Sequence, residues 1–134
     1  MVFSKDELNK LKEMRKKIED KFFVLIKTKK KAKLIENSIY NYVIETNEKI
    51  GIPLKLDNNF KSLYIHKVIT IYNNLNPNSK IVNNTYLLKE IKKDNIDLDK
   101  IAYLKPEELF PEHWEKYINK KQAIINFKYK ENKY

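Results

Sequence analysis

The chain has no cysteine, one glycine and four prolines among its 134 residues. Without cysteine, neither a disulfide nor a thiolate zinc site can form within it. A single glycine excludes the glycine-rich loops GxxxxGK and GxGxxG that cradle phosphates. The same scarcity argues against a sheet protein, which needs frequent turns, whereas helices joined by short loops can turn on Asn and Asp. No run approaches the ~20 apolar residues of a membrane span, and the opening MVFSKDELNK lacks the apolar core of a signal peptide. An all-α protein is expected, without a membrane segment and resident inside the cell.

What is present is charge. Charged residues make up 34% against an apolar 42%, a balance that suits one folded domain with one core and a well-solvated surface. The net charge of +10 is uneven: residues 1–35 carry 12 basic and 5 acidic side chains, residues 36–110 carry 10 of each, and residues 111–134 carry 6 and 3. Basic ends suit a polyanion or an acidic patch on a protein; a solvated lysine-rich helix face gives the same counts. The abundance of Lys, Asn, Ile and Tyr is also what AT-rich coding DNA produces, so part of the lysine excess needs no binding partner to explain it.

Hydrophobic spacing divides the chain into helices. Ser4 and Glu7 stand in capping-box spacing, followed by Leu8, Leu11, Met14, Ile18, Phe22 and Leu25 on one stripe. KTKKKAK interrupts that stripe, and a short break is expected near residues 27–32. Leu34, Ile35, Ile39, Tyr42, Val43 and Ile50 form the next stripe, closed by Gly51 and Pro53. A third helix starts near residues 57–59 and buries Phe60, Tyr64, Val68, Ile71, Tyr72 and Leu75 before NPNS ends it. Shorter pieces follow: NNTYLLKEIKKDN as a helix, and DLDKIAYL as a brief helical segment capped by Asp97 or Asp99. Pro106 and Pro111 both suit a first helical position, with glutamates behind them that complement the positive helix end. The last helix is expected from Pro111 to about residue 130, pinned by Trp114 and Phe110.

Catalytic patterns are not found. His66 and His113 lie on different helices, and neither has a second ligand at i+3 or i+4. Glu107, Glu108, Glu112 and Glu115 could in principle supply an acid/base pair, but as helix-start residues they are explained by the macrodipole. Lys128, Tyr129, Lys130, Lys133 and Tyr134 interleave cations with rings, which suits either single-stranded nucleic acid or a solvated linker. The chain does not read as an enzyme.

Taken in order, IENSIYNYVIE, YIHKVITIYNNLNPNS and LLKEIKKDNIDLDKIAYLKPEEL resemble the central domain of the transcription elongation factor TFIIS, and LFPEHWEKYINKK looks most like the versions carried by large DNA viruses. The likeness spans residues 5–128. It departs from the family where Asp94 and Asn95 replace a usual glycine, in a less basic NL…NP helix, and in having no N-terminal regulatory bundle.

The resemblance implies a three-helix bundle core with additional short helices and a long basic N-terminal helix over residues 1–128, then a basic linker from 129 to 134. It implies docking on a multisubunit DNA-dependent RNA polymerase as a monomer, in the nucleus or in a cytoplasmic viral factory. Transcript cleavage in the family belongs to a zinc ribbon, so zinc and catalysis are expected only in a C-terminal ribbon absent here, and no cofactor in this chain. By position Lys67 falls on a matching polymerase-binding site. Lys61, Lys89, Lys92 and Lys93 are candidates by charge, while Lys120, Lys121, Lys128 and Lys130 would line the exit helix and linker. Two rival readings are a general nucleic-acid binder acting through its basic termini, and a lipid-surface helix over residues 4–33.

Overall fold

The computed structural model describes residues 3–80 and 82–112. The chain divides into two compact units, residues 1–103 and 104–134. Among the described residues there is no strand, and the fold is all-α. The first unit holds α1 (Lys5–Ile26), α2 (Lys29–Ile50), α3 (Asn58–Leu75), the short α4 (Tyr86–Lys92) and a 3₁₀ helix (Leu98–Tyr103). In the second, α5 (Pro106–Leu109) has Pro106 in its first turn, and Glu108 accepts the Lys105 N–H at 3.1 Å. Glu108 therefore satisfies a free amide at a helix start.

Helix α2 is the central element, packed on α1, α3 and the 3₁₀ helix. Its buried Ala32, Ile35, Ile39 and Val43 follow the three-to-four spacing that keeps one face inward. They meet Leu11, Ile18, Phe22 and Ile26 of α1 and Phe60, Tyr64, Val68, Ile71 and Leu75 of α3 in a common core. Leu87 and Ile91 of α4 and Leu98, Ile101 and Ala102 of the 3₁₀ helix extend it. Each large apolar side chain so buried contributes about 1.5–3 kcal/mol.

The helix ends are held by specific bonds. The Glu7 N–H donates to Ser4 Oγ at 3.2 Å and the Ser4 N–H to Glu7 Oε1 at 3.0 Å, completing the capping box. Glu7 Oε2 also accepts the Leu56 N–H at 2.6 Å, fastening the loop before α3 to the start of α1. These amides, Leu56 first and then Ser4, hold the Glu7 carboxyl below its ordinary pKa. Asp57 caps α3 through the Phe60 N–H at 3.0 Å. Buried Asn84 caps α4, accepting the Tyr86 and Leu87 amides at 3.0 and 3.2 Å while its own amide donates to Asn74 Oδ1 at 3.0 Å. Asp97 Oδ1 accepts the Asp99 N–H at 3.1 Å, making Asp97 the cap of the 3₁₀ helix.

Several expectations need correction. The break after α1 occupies only Lys27 and Thr28, because Lys27 turns left-handed at φ 63° and α2 begins at once. Leu8 and Ile50, in the first turn of α1 and the last of α2, are exposed, at 49% and 65%. Tyr72, Met14 and Leu25 are half-buried. The helix within NNTYLLKEIKKDN is confined to Tyr86–Lys92, shortened at its start by the Asn84 cap and at its end by Asp94, whose φ is 59°. Most of the helix expected from Pro111, with His113, Trp114, Glu115 and the tail from Lys128 to Tyr134, lies outside the described residues.

Candidate functional site

Two kinds of charged region form on this frame. The first is closed. Arg15 on α1 reaches Glu36 on α2 with its Nε at 2.7 Å from Oε1 and an Nη at 2.8 Å from Oε2, and the same Nη donates to Asn37 Oδ1 at 2.7 Å. From α3, buried Tyr64 donates its hydroxyl to Glu36 Oε1 at 2.9 Å. The guanidinium also lies 3.8 Å from the Tyr40 ring centroid. A planar fork is needed for this geometry, and Arg15 is the sole arginine in the chain. Burial works against the Arg15 charge, yet the bonds and charge of Glu36 outweigh it and leave the guanidinium pKa above its ordinary value. Burial, and then the Glu36 charge, push the Tyr64 hydroxyl well above the usual tyrosine range. Every group here has a partner within the fold, so the cluster joins three helices and offers nothing outward.

The second region is open. Among the described residues, Lys61, Lys67, Lys89, Lys92 and Lys93 form no salt bridge. Lys89, Lys92 and Lys93 share one exposed face at the end of α4. Lys31 on α2 fastens that end: its ammonium donates to the Ile91 carbonyl at 3.1 Å and pairs with Asp94 at 3.0 Å. Lys92 and Lys93 lie between those two bound groups in the chain.

Lys67 is held differently. Its ammonium lies 4.3 Å from the centroid of the Tyr42 ring on α2, and the residue is half-buried. Burial pulls its pKa below the ordinary lysine value, while the negative face of the ring acts in the other direction by favouring the cation. Tyr42 packs edge-on against Tyr103, with centroids 5.5 Å apart, and Tyr103 donates its hydroxyl to Glu45 Oε2 at 2.7 Å. Burial, then the Glu45 bond and charge, push the Tyr103 pKa up to about 12.

Lys31 and Tyr42 are eleven positions apart, which puts them on one face of α2 about 16 Å apart. Lys67 and the α4 lysines are thus arranged along the same side of α2. Lys61 is not part of that row: it stands six residues before Lys67 on α3, about 120° away around the helix. Lys120, Lys121, Lys128 and Lys130 lie outside the described residues. His66 is exposed on α3. Among the described residues no group of three or more His, Asp or Glu is placed to hold a metal ion, and no helix is long and apolar enough to cross a membrane.

Sequence reasoning missed the Lys31 clamp and the Arg15 cluster. The lone arginine, and a glutamate at 36 inside an apolar stripe, were the legible signals for the cluster. Nothing local marked Lys31 among its neighbours. Compared with known proteins, the chain matches no family model, no curated protein and no solved structure.

Proposed function

We propose that this chain is the polymerase-docking domain of a TFIIS-like elongation factor. In this reading α1, α2 and α3 are a three-helix bundle core that carries lysines to a multisubunit RNA polymerase. Transcript cleavage in that family belongs to a four-cysteine zinc ribbon, and these 134 residues contain no cysteine. The observation that carries the reading is the order of the motif segments along the helices. IENSIYNYVIE lies within α2, YIHKVITIYNNL within α3, LLKEIK within α4, and LDKIAY is the 3₁₀ helix. Asp94 adds support, because it takes a left-handed φ of 59° where the family has a glycine.

The contact surface in this reading is Lys67, Lys92 and Lys93 along one side of α2, with Lys89 beside them. Reversing Lys67, Lys92 and Lys93 to Glu is expected to weaken binding to a purified polymerase at least about tenfold, because like charges would then face an acidic surface. Helicity should stay near the parent's, while melting falls modestly because Lys67→Glu sets a carboxylate against the negative face of the Tyr42 ring. Unaltered affinity in a folded variant would remove the surface from the proposal.

A further inference from the structure

The turn between α1 and α2 breaks several local rules at once. Lys27 occupies a left-handed position, φ 63°, that glycine would take without strain. Thr28 makes no side-chain cap, and the first turn of α2 contains no acidic residue. It contains lysines instead, at the helix end where the macrodipole favours anions. Lys27, Lys29, Lys30 and Lys33 are all exposed, and none forms a salt bridge among the described residues.

The fold adds to this charge from a distant part of the chain. Through Lys31, which holds the Ile91 carbonyl and the Asp94 carboxylate together, the end of α4 is fixed beside the start of α2. Lys92 and Lys93 therefore join the turn. Asp94 is the single carboxylate at this junction shown in contact with a lysine, and Lys31 already occupies it. Six exposed lysines thus stand at the turn and the end of α4, spread around the start of α2, and none of them forms a salt bridge among the described residues.

We propose that the α1–α2 turn and the end of α4 form one binding surface for the phosphate backbone of double-stranded nucleic acid, read without regard to sequence. Two features favour that partner. Regularly repeated phosphates suit many point charges on flexible stems, which need no fixed fork geometry. The stretches 27–33 and 89–93 contain no aromatic side chain, so the surface lacks the stacking platform that single strands use. This inference does not depend on the polymerase reading.

The test uses the full chain with a fluorescent DNA duplex of arbitrary sequence, followed by anisotropy over a salt series. Lys29→Glu, Lys30→Glu and Lys33→Glu are combined in one variant that spares Lys92 and Lys93. A control reverses Lys55, Lys80 and Lys100, exposed lysines elsewhere, for the same change in net charge. The patch variant is expected to lose at least about tenfold in affinity near 0.1 M salt, with the log–log salt slope reduced by about 2 to 3. The control should lose less than about threefold.

Because glutamates suit the start of a helix, the patch variant should melt no lower than the parent, so lost binding cannot be assigned to unfolding. Equal losses in both variants would overturn the proposal, leaving only overall charge. Polyglutamate competing as well as the duplex at equal charge concentration would overturn it in favour of an acidic protein partner. Polymerase binding of the same patch variant is measured separately, so failure of either reading shows independently.

Discussion

The Arg15–Glu36 cluster and the lysine surface at the α1–α2 turn use charge in opposite ways. In the cluster, one cation meets a bidentate carboxylate, an amide oxygen and the ring of Tyr40, and Tyr64 donates a further hydrogen bond to the carboxylate. At the turn, cations crowd one helix start with a single internal carboxylate in contact, the one held by Lys31. A charge removed from water must be matched group by group inside the protein, whereas a charge left in water is free to wait for a partner. The cluster therefore specifies how α1, α2 and α3 meet, and the turn has no comparable role in packing.

The largest effect should come from breaking the cluster. Glu36→Ala leaves a partly buried guanidinium without its carboxylate and a buried hydroxyl without its acceptor, and is expected to cost about 3–5 kcal/mol in denaturant unfolding. Absorbance titration should then show Tyr64 ionising at lower pH, because beside burial it is the charge and hydrogen bond of Glu36 that hold its hydroxyl protonated. A loss under about 1 kcal/mol would mean that the cluster does not organise the three helices.

A middling effect is expected at the junction of α2 with the 3₁₀ helix, where buried Ser38 Oγ accepts the Ala102 N–H at 3.0 Å. Ser38→Ala would strand that amide, at a cost of about 1–3 kcal/mol. Hydrogen exchange at Ala102 should accelerate more than at core amides of α1. Uniform acceleration would show that the 3₁₀ helix opens only with the whole fold.

The smallest change sharpens the contrast most. Lys27→Gly relieves a left-handed residue and should raise stability by about 1 kcal/mol, while weakening duplex binding. A single substitution would then move folding and binding in opposite directions. If stability instead falls, Lys27 has a structural role that its geometry does not reveal.

The long elements were legible because their signals are periodic or chemically specific. The stripe on α3, the Asp57 start, the Gly51 stop and the Ser4–Glu7 box all depend on residues within a few positions of one another. Where the reading failed, the cause was either a residue in a conformation its type does not announce or a partner distant in sequence. The α1–α2 break is shorter than KTKKKAK suggests, because Lys27 accepts a conformation for which no glycine advertises. The extent of α4 was overestimated because its cap is Asn84, a residue also committed to Asn74 ten positions earlier. Of the candidate lysines, those on α4 could be chosen by charge alone, but their fixing by Lys31 spans 60 residues and leaves no local pattern. Lys67 was identified by motif position; its seat on Tyr42 emerged only from the packing of α2 against α3.

The Ser38–Ala102 bond also constrains the order in which the chain can assemble. It joins residues 64 positions apart, so the entropy of closing that loop is lost before the bond returns anything. The α1–α2 hairpin, built from near neighbours, can form and present Ser38 without that loop-closure cost, which falls instead on the docking of the 3₁₀ segment.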